Sequence, residues 1–234
     1  MTSIDRTVLL QMNERVQHWE DAHDRRSIFL GCYALMTGNM LDALDAGRFI
    51  DDEWVARLLR RFAQYYFDAL ALYEARSSTT PRVWQLAHGT AQHARFMTVQ
   101  QLLIGVNAHI NYDLVFATAE LLQPEWAALS TDQREQRRRD YELVNSIIGQ
   151  TIDSVQDQIL EPQSPWLDVV DRLMGPVDEW LISELIEHWR DEVWRQAVQY
   201  LDTSTAEERE ALRVHIEKSA LRRGHDILGE ILLP

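Results

Sequence analysis

The sequence has one cysteine, few basic residues for its number of acids, no sustained alternation of apolar and polar residues, and no long uninterrupted apolar run. Each shortage excludes something. Cys32 alone cannot close an intrachain disulfide, and within an apolar helical stretch it reads as a small core residue. Lys and Arg number 23 against 37 Asp and Glu, a net charge of -14 with a pI near 4.9, so the chain repels a phosphate backbone and nucleic acid is not an expected partner. The arginines between 134 and 139 alternate with Glu135 and Gln136 and read as a solvated helix face. Residues 1 to 19 are broken by Asp5, Arg6, Asn13, Glu14 and Arg15, which removes the apolar centre of a secretory signal. No stretch reaches the roughly 18 apolar residues of a membrane span. The expectation is a cytoplasmic protein with no membrane span.

What is present is helical periodicity. Runs of period 3.6 predict an all-α, single-domain bundle over 1–234, with about eight or nine helices around a buried central one. They fall near 4–22, 25–46, 52–76, 81–93, 96–122, 131–160, 165–174, 177–201 and 205–230. Gly47 and Gly175 follow helical runs as C-caps, and Pro81 and Pro165 stand at first turns. Ser130 with Gln133 and Ser204 with Glu207 form capping-box patterns. Eight tryptophans and seven tyrosines are scattered over almost every helix and suit a core or pocket with bulky aromatic walls.

The chemistry concentrates in one place. Residues 96–122 are apolar on all sides, the pattern of a helix surrounded by protein, yet they carry Asn107, His109, Asn111 and Asp113. A buried polar group without a partner costs roughly 1–3 kcal/mol, so four in one helix imply a polar centre. His109 and Asp113 are one turn apart on the face that Gly105 shares, while Asn107 and Asn111 point away from them. The two pairs can line one small pocket only if the helix is distorted.

The landmarks resemble a bacterial family known as domain of unknown function 5995. They are Asp24-Arg-Arg-Ser-Ile-Phe29 with Tyr33 and Thr37, Phe49 with Asp51-Asp52-Glu53-Trp54, residues 62–70, and Pro81-Arg-Val-Trp84. Gly105-Val-Asn-Ala-His-Ile-Asn-Tyr-Asp-Leu114 follows, then Asp140 with Val144-Asn145, Ser164-Pro-Trp166 with Asp171, and Arg190 with Trp194. The resemblance covers about residues 20 to 200 and strengthens the site without implying a reaction.

Three chemical readings of the His109/Asp113 pair stay open. Asp113 would orient His109 as a general acid or base; both would ligate a metal; or the pair ties the central helix to its neighbours. A metal needs further ligands; Asp24, His93, Glu184 and His188 are the candidates to converge, and Glu20-x-x-His23 is a single Glu-x-x-His of the kind chance supplies. No His-Glu-x-x-His, paired Glu-x-x-His or cysteine cluster occurs. Phosphate loops, nucleophile elbows and dinucleotide fingerprints are also missing. Asp51-Asp52-Glu53 reads as helix capping rather than a magnesium site.

The leading expectation is a cofactor-free enzyme of lyase, isomerase or cyclase type, with His109 and Asp113 transferring protons in an aromatic-lined pocket. Tyr33, Tyr66, Trp84 and Gly105 would contact a small lipophilic substrate, and Asn107, Asn111 and Asn145 would form a structural polar cluster. The alternatives are a metal-dependent hydrolase with His109 and Asp113 as ligands, and a non-catalytic ligand-binding or oligomerising module. A homo-oligomer is compatible with each.

Overall fold

Helices form all the regular structure among the described residues of the computed structural model, which are 5–157 and 179–230. They are α1 (Thr7–Asp21), α2 (Ser27–Asp45), α3 (Asp52–Glu74), α4 (Arg82–Ala91) and α5 (Thr98–Ala108). A π-helical turn (His109–Asp113) follows, then α6 (Leu114–Leu122), α7 (Thr131–Asp157), α8 (Glu179–Asp202) and α9 (Ala206–Glu230). The all-α reading therefore holds, with helix ends within a few residues of those the periodicity indicates. The helix expected at 165–174, with Pro165 and Gly175, lies outside the described residues.

Local signals account for several of these ends. Gly47, at φ 64°, turns the chain after α2, and the Gly47 and Arg48 amides donate back to the carbonyls of Leu44 and Ala43. Ser130 and Gln133 close a reciprocal box at the start of α7. At α9 the box is Thr205 with Glu208, one residue beyond the Ser204/Glu207 pattern. Both pairs fit the sequence rule, and the helix starts where Thr205 bonds the Glu208 amide. Pro81 is the residue before α4 rather than its first residue, and Glu217 of α9 accepts the Arg82 amide in place of a local cap.

The described residues group into two compact units, one from Met1–Leu59 and Leu129–His188, the other from Arg60–Ala128 and Trp189–Pro234. In the first, α2 packs against both α1 and α7. By length and composition alone α2 could cross a membrane, and 67% of its most apolar window is buried within the protein. Asp140 on α7 is 1% exposed and accepts the Ile50 and Asp51 amides at 2.7 and 2.9 Å, fixing the loop before α3. Asp51 caps that helix through the Trp54 amide and pairs with Arg137 at 2.7 Å. Capping is thus the observed role of Asp51, and Asp140 gains a structural one.

The second unit is organised around α5, the π turn and α6. Helices α4 and α9 pack against α5 and against each other. Gly224 lets α9 approach closely: a methyl there would fall 2.8 Å from Leu86 Cδ2 and 3.4 Å from Asn107 Nδ2. Every residue from Asn107 through Val115 is buried, so this segment is enclosed on all sides.

Candidate functional site

The central helix does not stay α-helical through its polar motif. Between His109 and Asp113 it widens into a π turn, in which the Leu114 amide donates to the His109 carbonyl five residues back. Such turns are rare and recur at functional sites, because the extra residue displaces side chains from their α-helical positions. The helix is therefore distorted at the motif, yet the two polar pairs still face different neighbours.

The amide pair turns towards α9. Asn111 Nδ2 donates to Asn107 Oδ1 at 3.0 Å, and Asn107 Nδ2 donates to the Ala220 carbonyl at 2.9 Å. The ionisable pair turns towards α3 and α4. His109 Nδ1 and Asp113 Oδ2 are 3.1 Å apart, and the Trp84 indole N–H donates to both Asp113 oxygens at 3.0–3.1 Å. Phe62 lies flat on the imidazole with centroids 3.6 Å apart, and Tyr66 and Trp84 stand at 6.1 Å. His88 in turn stacks on Trp84 at 5.1 Å.

Burial sets the electrostatics of the pair. The side chains of His109 and Asp113 are 4% and 1% exposed. Burial holds the imidazole well below its usual value and pushes the Asp113 carboxyl well above the carboxylate range, with the Trp84 N–H partly opposing the second shift. Both shifts favour an uncharged pair.

Asp113 also reaches a cleft of about 430 Å³ within the second unit. Tyr65, Leu72, Tyr112, Phe116 and Tyr200 line it, with Asp68, Glu120 and Arg213 among its charged residues. His109 is not among the lining residues, and neither are Tyr66, Trp84 or Gly105. Tyr66 and Trp84 instead hold the pair from behind, and Gly105 is buried in α5. Tyr33 and Asn145 belong to the first unit, where Tyr33 stacks on Phe29 at 6.0 Å and Asn145 is half-buried on α7. The partners found for Asn107 are Asn111 and Ala220 rather than Asn145.

Phe62, His88, Tyr65, Phe116, Tyr200 and Arg213 are absent from the sequence-based site. Nothing in the local pattern separates them from the other aromatics and arginines on amphipathic helices. Tyr112 lay inside the motif and carried a signal, as the remaining polar side chain of an enclosed segment. No group of three or more His, Cys, Asp or Glu gathers in a metal-binding arrangement among the described residues.

The fold and the site define an all-α protein with a buried imidazole–carboxyl pair on a π-helical turn beside an aromatic cleft. Residues 6–230 match a family of unknown function, DUF5995, and the chain belongs to it. No curated protein and no solved structure matches the chain.

Proposed function

We propose that the second unit is a small-molecule enzyme of acid–base type, in which Asp113 meets the substrate and His109 positions it. The observation that carries this reading is the difference within the pair: Asp113 is among the residues that line the cleft, whereas His109 is not and its ring packs among Phe62, Tyr66 and Trp84. A carboxylic acid held neutral can donate a proton to a substrate carbonyl or alkene and take one back. Nδ1 of His109 would accept from Asp113 while the carboxyl holds its proton, and the Trp84 N–H, which donates to both carboxyl oxygens, would stabilise the carboxylate left after transfer. Aromatic walls suit a small, largely apolar substrate, and proton transfer of this kind serves lyase, isomerase and cyclase reactions.

The enclosure of His109 favours a second reading, a non-catalytic ligand-binding module in which the pair only braces the π turn. Incubating a metabolite extract with wild-type protein, Asp113→Asn and His109→Gln, followed by mass spectrometry, separates the two. Conversion of specific compounds by the wild type, lost in Asp113→Asn and weakened in His109→Gln, supports the enzyme. Equal conversion by Asp113→Asn removes the carboxyl from the reaction, and compounds bound but never converted leave the module.

A further inference from the structure

We propose that the cleft of the second unit takes a small organic cation, a quaternary or tertiary ammonium compound, held against Tyr112, Phe116 and Tyr200. The proposal rests on the reading above that the cleft is a small-molecule site, and it names the chemistry of the occupant. At about 430 Å³ the cleft is within the range of small-molecule pockets, roughly 300–1,000 Å³.

The arrangement of the rings comes first. Phe116 meets Tyr112 edge-on at 5.0 Å and 74°, and meets Tyr200 at 5.7 Å and 81°. Rings set at right angles form a corner rather than a flat stack. A corner presents aromatic faces, with their negative quadrupole, from more than one direction. The geometry suits a compact cation better than a flat neutral ring, which would stack on one wall.

The charges favour the same occupant. Arg213 is the cationic side chain among the lining residues, and Glu210 holds it bidentately at 2.8 and 2.6 Å. Glu120 is likewise held by Arg61 at 2.9 and 2.8 Å. With those two pairs cancelling, Asp68 remains as the acidic side chain among the lining residues, while Asp113, pushed by burial towards its neutral form, adds no charge. A phosphate or carboxylate ligand would find the Arg213 guanidinium already engaged by Glu210 and by the Tyr112 hydroxyl.

The rim already shows a cation held this way. The Arg61 guanidinium sits 4.5 Å from the Tyr65 ring centre, with Glu120 as its counter-ion. A net charge of -14 also draws cations towards the surface and repels anions.

Calorimetry on the full-length protein tests this with choline and with 3,3-dimethylbutan-1-ol, its neutral carbon isostere. Choline is expected to bind roughly 5- to 30-fold more tightly, the ratio that a cation–π contribution of about 1–2 kcal/mol produces. Phe116→Leu and Tyr200→Leu keep apolar bulk but remove a ring, and should bring the ratio close to one. Tyr200→Phe keeps the ring and should preserve it, which protects the test if a leucine variant folds poorly. Equal binding of the two probes, or no binding of either, overturns the proposal. So does a cation bound only when presented on a trimethyllysine peptide. The acid–base reading fails separately: Asp113→Asn that retains conversion rejects it even where choline selectivity stands. Loss of conversion in that variant, with no choline selectivity, rejects only the cation.

Discussion

Phe62 covers one face of the His109 imidazole, the two rings 6° from parallel with centroids 3.6 Å apart. That contact closes a side from which solvent or substrate would approach, and leaves Asp113 as the member of the pair in the cleft lining. The stacking also sustains the low basicity of His109, because a protonated ring in that position would be stripped of water.

Phe62→Ala should therefore let water reach the imidazole and move its titration upward, towards the ordinary value of about 6.5. The His109 ring proton resonances followed by NMR against pH report this directly. An unmoved titration would assign the shift to Tyr66 and Trp84 instead.

Stability should depend on pH through the same pair. The raised Asp113 stabilises the fold fully below its unfolded value of about 3.9, and that contribution is lost as pH rises towards its folded value. The lowered His109 contributes fully above about 6.5, and loses its contribution as pH falls towards its folded value. Each slope is at most about 1.4 kcal/mol per pH unit, and the two oppose between about 3.9 and 6.5. Above about 6.5 His109 is neutral in both states, so only the Asp113 slope can act, and it acts up to the folded Asp113 value. Urea unfolding from pH 5 to 8 should show wild type losing stability relative to Asp113→Asn as pH rises, whereas parallel curves would mean that Asp113 is ionised in the fold.

The amide pair should be unequal. Asn107→Leu breaks the bond to Ala220 and the bond from Asn111, while Asn111→Leu breaks only the second. With roughly 1 kcal/mol for each bond lost and more for a stranded buried partner, Asn107→Leu is expected to cost about 2–4 kcal/mol and Asn111→Leu about half of that. Denaturant midpoints order the two variants, and a larger loss in Asn111→Leu would contradict the assignment.

Asp140→Ala removes the acceptor of two backbone amides in the first unit. Hydrogen bonds to a charged group contribute about 1.5–3 kcal/mol each, so a loss of about 3 kcal/mol is expected, with faster amide exchange at Ile50 and Asp51. Asp140→Asn retains one acceptor oxygen and should lose less. Unchanged exchange would show that the loop is held by other contacts.

Much of the molecule follows from interactions a few residues apart. The helices, the Gly47 turn and the Ser130/Gln133 box are local hydrogen-bonding and backbone preferences, so their residues announce them. The contact of His109 with Asp113 is of the same kind, being one turn of one helix. Even here local rules can tie, as at Ser204/Glu207 and Thr205/Glu208, where two overlapping boxes fit and the second is the one that forms.

The rest depends on residues far apart in the chain. Asn107 finds its acceptor 113 residues away at Ala220, and the cleft joins Tyr65 and Asp113 to Tyr200 and Arg213. Whether His109 or Asp113 faces that cleft turns on Phe62, Tyr66 and Trp84, which occupy one side of the pair. Side-chain type and spacing encode which groups a helix carries. Which of them stays sealed, and which meets a ligand, is set by the neighbouring helices that fill the space around them.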